Sequence, residues 1–124
     1  MKLVFDASVV VDYLRTKKLS TVFVDAWKSY DGVISLVTVA ELYSGRSVQQ
    51  SGKARDELEE VLSGLDVVSP ELKAVKLVGE LRARYQLSLG DAFVAALALE
   101  LDAPVAALDQ KAFSRVKNLR LYPV

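Results

Sequence analysis

Four acidic residues of this 124-residue sequence stand where an apolar run or a turn gives way to a helical pattern. They are Asp6, Glu41, Asp91 and Asp109. Three of them follow the carboxyl end of a predicted strand, and Asp91 lies at the start of an apolar helix. Parallel strands of an open α/β sheet end at one edge, where such sheets bind their ligands. We therefore expect the fold to gather these four side chains.

Carboxylates gathered in this way repel one another, which raises their pKa values. A divalent cation removes that repulsion. The chain contains neither histidine nor cysteine, so it lacks the commonest general base and the nitrogen and thiolate ligands of transition metals. A metal would be held by oxygen alone, which favours Mg²⁺ or Mn²⁺. An all-carboxylate pocket holding one or two such ions can activate water and stabilise the leaving oxygen of a phosphodiester.

Each acid also has a purely structural interpretation. Acids are favoured at helix N-termini, where they accept hydrogen bonds from free N–H groups. Thr38 with Glu41, and Ser88 with Asp91, have the spacing of a capping box, and the other two acids could each be an N-cap. However, apolar residues flank Asp6 and Asp91, and capping does not require an acid at every junction. We therefore favour the metal site.

Short β-favouring runs alternate with helical patterns along the whole chain. Predicted strands cover residues 2–5, 33–36, 67–69, 105–108 and 119–122. Predicted helices cover residues 8–15, 19–29, 38–44, 53–62, 70–85, 88–101 and 110–115. The alternation predicts an α/β fold with a parallel sheet. No linker or repeat interrupts the sequence, so we expect one domain over residues 1–124.

Composition limits the classes of function. Sixteen basic and sixteen acidic residues give a formal net charge of zero, which argues against a general nucleic-acid binder. If the four acids are neutralised in a metal pocket, the outer surface becomes cationic. The N-terminus does not have the pattern of a signal peptide, and the apolar stretch 92–99 is too short to span a bilayer. We expect a cytoplasmic protein that is not bound to a membrane.

Four stretches resemble, in order, the motifs of PIN-domain ribonucleases of the VapC type, the toxins of type II toxin–antitoxin pairs. The stretch VFDASVVVDYL resembles the opening strand of the family with its Asp-x-Ser/Thr, and ISLVTVAEL resembles the second strand with its Glu-bearing helix. LSLGDAFVAALAL and VAALDQKAF are similar to the segments that carry the third and fourth acids. The resemblance covers essentially the whole chain.

The resemblance implies a three-layer α/β/α fold around a central, mainly parallel sheet of four or five short strands. It implies a metal-dependent endoribonuclease in which Asp6, Glu41, Asp91 and Asp109 hold Mg²⁺ or Mn²⁺, directly or through water. Ser8 would orient Asp6 or a metal-bound water, and it could also be the N-cap of the first helix. The implied partners are an RNA substrate, a VapB-type antitoxin and a second copy of the chain.

Basic residues follow three of the acid-bearing segments. They are Arg15, Lys17, Lys18, Arg46, Lys111 and Arg115. They could form a basic rim that binds RNA phosphates without sequence specificity. For each of them separately, an ordinary solvated surface is the alternative.

Three other functions are alternatives to the ribonuclease. A phospho-acceptor receiver domain should have adjacent acids after its first strand and a lysine after its last, and this chain has neither. A haloacid-dehalogenase-like phosphatase would need a second Asp at the position of Ser8. A PIN-fold nuclease that processes a cellular RNA without being a toxin stays open, because nothing in the sequence separates the two roles.

Overall fold

The computed structural model describes residues 1–124, and its strands form a single four-stranded parallel sheet. The strands are β1 (Lys2–Phe5), β2 (Asp31–Ser35), β3 (Asp66–Val68) and β4 (Val105–Ala106). Their order across the sheet is β3-β2-β1-β4, and every neighbouring pair is parallel. The two central strands, β1 and β2, therefore end at the same edge of the sheet as their neighbours.

Seven α-helices and one short 3₁₀ helix at Phe113–Arg115 accompany the sheet. The α-helices are α1 (Ala7–Thr16), α2 (Val22–Ser29), α3 (Leu36–Tyr43), α4 (Arg46–Gln50), α5 (Gly52–Ser63), α6 (Leu72–Tyr85) and α7 (Leu89–Leu101). None of the helices is long and apolar enough to cross a membrane.

Both faces of the sheet are buried, because successive residues of β1 enter different cores. Val4 belongs to a core formed with α6 and α7, whereas Leu3 and Phe5 belong to a second core formed with α1, α2 and α5. This pattern is typical of parallel strands covered by helices on both sides. The predicted α/β architecture, with helices on each side of a parallel sheet, is confirmed.

The first turn of α7 is fixed by its burial and by its cap. The helix buries six of its residues, including Ala92 and Val94, as the apolar sequence predicted. Ser88 precedes the helix, and its hydroxyl accepts a hydrogen bond from the backbone N–H of Asp91 at 3.1 Å. The predicted cap at Ser88 is therefore confirmed, and Asp91 is held in the first turn of a helix that the core requires.

Several predicted boundaries were wrong. The prediction missed α4, a five-residue helix with one buried side chain, which is too short to show an apolar period. Helix α6 begins at Leu72 after the N-cap Glu71, so Pro70 precedes the helix and does not occupy its first turn.

The sheet edge near the C-terminus is also shorter than predicted. Strand β4 ends at Ala106, and the predicted strand over residues 119–122 makes only one bridge, between Leu121 and Val105. Pro123 has no N–H to extend that pairing. The predicted helix over residues 110–115 is reduced to the 3₁₀ turn at Phe113–Arg115.

Gly32 allows β2 to pack closely against the second core. A Cβ at this position would lie 2.5 Å from Cδ2 of Leu65 and 2.7 Å from Cε2 of Phe5. Any larger residue would displace these core side chains, so the packing requires glycine here.

Candidate metal centre

The carboxylate of Asp6 lies at the junction of β1 and α1. It accepts hydrogen bonds from the backbone N–H of Ser8 at 3.2 Å and from the Ser8 hydroxyl at 2.6 Å. Asp6 is therefore the N-cap of α1, and the alternative that Ser8 is the cap was wrong because the helix already begins at Ala7. The Ser8 hydroxyl also accepts a hydrogen bond from the N–H of Leu108 at 3.1 Å. Ser8 thus joins the end of β1 to the segment after β4.

Glu41 lies in the second turn of α3. The helix begins at Leu36, and the Ser35 hydroxyl caps it by accepting a hydrogen bond from the N–H of Val37 at 3.2 Å. The capping box predicted for Thr38 and Glu41 was therefore wrong. Ser35 ends β2 and supplies the cap three residues earlier, which leaves the Glu41 side chain free for another role.

The carboxyl group of Glu41 packs against the first turn of α7. A Cβ at Gly90 would lie 2.7 Å from each of the two Glu41 carboxylate oxygens. Gly90 directly precedes Asp91, and the charge of Asp91 helps to raise the pKa of Glu41, so the two carboxylates interact electrostatically at this turn. The positive end of the α7 dipole favours negative charge at this place. Gly90 was not among the predicted site residues, although a glycine in the first turn of an apolar helix was a signal for it.

Asp109 lies in the loop after β4 and is exposed. One of its carboxylate oxygens accepts a hydrogen bond from the N–H of Lys111 at 3.1 Å. The 3₁₀ helix begins only at Phe113, so the alternative that Asp109 is a helix N-cap was wrong. Its carboxylate stabilises a local turn.

The four predicted acids form one electrostatic cluster. Burial raises the pKa of Glu41 above its usual value, and the charges of Asp6 and Asp91 raise it further. Burial likewise raises the pKa of Asp91, with added repulsion from Asp6 and Asp109, while a hydrogen bond from Ser88 acts in the opposite direction. The electrostatic coupling therefore links acids from four separate segments of the chain.

The cluster contains no cationic side chain. The ion pairs of the chain lie elsewhere, between the Met1 amino group and Asp31, Lys17 and Glu57, and Arg120 and Asp102. The repulsion within the cluster is therefore not compensated by the protein itself.

The raised pKa values affect stability in a defined direction. A carboxyl group with a raised pKa binds protons more readily in the folded chain than in the unfolded chain. Glu41 and Asp91 therefore favour folding as the pH falls through their raised folded values towards the ordinary 4.5 and 3.8. That contribution is lost as the pH rises through the folded values, because the folded chain must then hold repelling charges.

The sequence model of the PIN domain family matches residues 3–119. The chain belongs to the PIN domain family. This membership agrees with the order of the four acid-bearing motifs and removes the receiver-domain alternative. Comparison with curated proteins finds no significant sequence match.

Solved structures of similar fold include several toxin–antitoxin proteins. VapBC2 from Rickettsia felis, bound to a DNA fragment from its promoter, is 20% identical with a TM-score of 0.81, covering 98% of both chains. FitAcB from Neisseria gonorrhoeae is 22% identical with a TM-score of 0.76, covering 98% of this chain and 96% of the other. VapC20 from Mycobacterium tuberculosis, a toxin that cleaves the sarcin-ricin loop, is 13% identical with a TM-score of 0.70, covering 95% and 98%. At these identities the likeness shows a shared fold.

The acids of this PIN domain do not form a ready-made cage of metal ligands. No three of its acidic side chains converge as ligands of one ion. The donor set nevertheless fits a hard divalent cation, since it is made only of carboxylates whose mutual repulsion is uncompensated. Mg²⁺ usually keeps several of its waters and binds proteins through one or two carboxylates. The cluster is therefore suited to a hydrated cation.

The structure brings together two of the predicted basic residues. Arg15 of α1 and Arg46 of α4 line one groove of about 360 Å³, and Leu42, the neighbour of Glu41, also lines it. Lys17 is instead paired with Glu57. The PIN domain therefore has a partly basic groove between α1, α4 and α5, which Glu57 also lines and which none of the four acids lines.

Proposed function

We propose that this PIN domain is a metal-dependent endoribonuclease and acts as the VapC-type toxin of a toxin–antitoxin pair. The observation that carries the proposal is the coupling of four carboxylates without any cationic side chain among them. Such an arrangement opposes stability in the absence of a cation, because two of the acids have raised pKa values. A bound divalent cation would offset the repulsion among these carboxylates.

In this proposal Asp6, Glu41, Asp91 and Asp109 hold Mg²⁺ or Mn²⁺, directly or through water. The bound cation supplies an activated water and charge stabilisation at the phosphodiester. The protein contributes the placement of the carboxylates: Asp6 is fixed by the cap of α1, and Asp91 by the first turn of α7.

Ser8 acts by orienting Asp6. Its hydroxyl oxygen accepts the N–H of Leu108, which leaves the hydroxyl proton directed to the Asp6 carboxylate at 2.6 Å. The same contact holds the loop that carries Asp109 near the end of β1. Ser8 is therefore proposed as a positioning residue that links two of the acids.

RNA is the proposed substrate because basic residues follow three of the acid-bearing segments in the sequence. Arg15 and Arg46 line the groove beside α3, and both Lys111 and Arg115 follow Asp109 and are exposed. These exposed cations would bind phosphates of the RNA backbone without sequence specificity. The likeness in fold to VapC20, a toxin that cleaves the sarcin-ricin loop, also supports RNA as the substrate.

A VapB-type antitoxin and a second copy of the chain are the proposed protein partners. An apolar groove of about 320 Å³ runs between α1, α2 and α5. Two of the side chains that line it, Leu19 and Trp27, are 77% and 52% exposed, and exposed apolar patches of this kind mark interaction surfaces. On α6, Leu72 and Val75 are also exposed and could contribute to a homodimer. Size-exclusion chromatography with light scattering tests the dimer, which a monomeric mass would contradict.

Cleavage of RNA by purified protein tests the proposed activity. The protein is freed of bound partners by unfolding and refolding, then incubated with a panel of structured and single-stranded RNAs in Mg²⁺, Mn²⁺ or EDTA. Asp6→Asn and Asp91→Asn are compared with Asp56→Asn, which changes an exposed acid of α5. We expect cleavage that requires metal, survives in the Asp56 variant and is lost in the other two folded variants. Cleavage that persists in EDTA or in both site variants would contradict the proposal.

The toxin role has its own discriminator. The alternative, a PIN-fold nuclease that processes a cellular RNA, predicts no dedicated inhibitor. A gene for a small antitoxin directly upstream, and growth arrest on induction that this gene relieves, are expected for the toxin. Normal growth on induction of the folded, active protein would favour the processing enzyme.

A further inference from the structure

The space beside Gly90 is occupied by the carboxyl group of Glu41. The three atoms nearest to a Cβ built at Gly90 are the two carboxylate oxygens of Glu41, each at 2.7 Å, and the carboxyl carbon at 2.9 Å. Contacts under 3.0 Å essentially do not occur for real Cβ atoms. Glu41 in its present position is therefore compatible only with glycine at position 90.

The backbone at Gly90 gives no other reason for glycine. No glycine of the chain has a positive φ, and Gly90 is the second residue of a regular helix capped by Ser88. Glycine within a helix is less favourable than alanine because it loses more backbone entropy on folding. The close approach of the Glu41 carboxylate is what remains to explain this residue.

We propose that Gly90 is a positioning residue that seats the Glu41 carboxylate against the first turn of α7, beside Asp91. The absence of a side chain allows α3 and α7 to bring these two carboxylates together although they lie 50 residues apart in the sequence. Gly90 thereby sets the separation between two of the four proposed metal-binding acids. The inference rests on the proposed function and explains how this chain positions one of the acids of the proposed metal site.

A methyl group at position 90 should separate metal binding from stability. The atoms that it would meet belong to the free end of a flexible side chain, so Glu41 can rotate away while the fold stays intact. The displaced carboxylate then no longer lies beside Asp91. Alanine is also the better helix former. Gly90→Ala should therefore weaken cation binding without lowering thermal stability.

Calorimetric titration with Mn²⁺ and thermal unfolding of the full chain test this inference. The matched control is Gly79→Ala, since Gly79 lies in the exposed face of α6 and a Cβ there meets nothing within 4 Å. We expect Gly90→Ala to weaken Mn²⁺ binding about tenfold or more, the range found for residues that orient ligands, with a Tm equal to or above that of wild type. Gly79→Ala should leave Mn²⁺ binding unchanged.

A double-mutant cycle tests whether the effect passes through Glu41. When Glu41 is already replaced by alanine, no carboxylate remains to be displaced. Gly90→Ala should then have no further effect on Mn²⁺ affinity. An equal loss in both backgrounds would overturn the inference.

The failure of the inference is distinguishable from the failure of the proposed function. Wild-type affinity in Gly90→Ala would overturn the role of Gly90 and leave the proposed metal centre intact. A lowered Tm in Gly90→Ala would show that the fold itself requires glycine, which also overturns the inference. Absence of Mn²⁺ binding by the wild type would overturn the proposed function and this inference together.

Discussion

Replacing Ser8 with alanine removes a hydroxyl that joins two strand ends. The hydroxyl donates to the Asp6 carboxylate at 2.6 Å and accepts from the Leu108 N–H at 3.1 Å. A hydrogen bond to a charged group contributes about 1.5–3 kcal/mol and a neutral one about 0.5–1.5 kcal/mol. Ser8 is only partly buried and Leu108 is exposed, so water can replace part of both contacts. We expect a loss of about 2 kcal/mol in the free energy of unfolding.

Urea unfolding measures this loss directly, because the chain has a single tryptophan, Trp27, as a fluorescent probe. With an unfolding entropy of about 2.1 cal/mol/K per residue, a loss of ~2 kcal/mol lowers the Tm by about 8 °C. Ser63→Ala is the control, since its exposed hydroxyl makes only a local bond to the carbonyl of Glu60. That control should change stability by less than about 0.5 kcal/mol.

The Ser8 variant should also lose RNA cleavage beyond what its stability explains. The variant lacks the hydroxyl that links Asp6 to the loop carrying Asp109. Cleavage should therefore fall even at a temperature where the variant is fully folded. A variant that keeps both wild-type stability and wild-type cleavage would refute the assigned role of Ser8.

Three further predictions concern charge, packing and an aromatic hydroxyl. Glu41→Gln in EDTA should be more stable than wild type at pH 7, and the gain should vanish below about pH 4, where the carboxyl is protonated in both states; an unchanged or lowered urea midpoint at pH 7 would contradict this. Gly32→Ala should lose about 1–3 kcal/mol by overpacking the core beside β2, whereas Gly52→Ala, with open space around it, should not. The hydrogen bond to Asp25 raises the pKa of Tyr122 to about 12, so alkaline spectrophotometric titration should show a late-titrating component that Tyr122→Phe removes.

The sequence predicted the fold and the location of the acids because both depend on local patterns. The apolar runs of β1 and β2 and the nearly all-apolar α7 could be recognised within single segments. The rule that parallel strands end at one edge predicted a common location for Asp6, Glu41 and Asp109, whereas Asp91 was placed only at the start of the apolar helix. The capping interpretation of Asp6 is also correct, because one carboxylate can cap a helix and belong to a charge cluster.

What the sequence could not predict depends on contacts between distant segments. The hydrogen bond from Leu108 to Ser8 spans 100 residues, and the seat of Glu41 on Gly90 depends on how α3 packs against α7. Ser35 caps α3 in place of the predicted Thr38, because β2 ends at Ser35 and its hydroxyl meets the free N–H of Val37. The residue that caps a helix depends on where the preceding strand ends. Intrinsic strand and helix propensities do not determine that end to a single residue.

The thermal shift produced by Mn²⁺ tests most directly whether the four acids form one cation site. Wild-type protein is compared with the Asp→Asn or Glu→Gln variant of each acid and with the exposed control Asp56→Asn. At a Mn²⁺ concentration of about 100 times Kd, binding stabilises the folded chain by about 2.7 kcal/mol. The wild type and the control are expected to gain this shift, and each of the four site variants to lose most of it. No shift in the wild type, or an equal shift in all four variants, would contradict a shared metal centre.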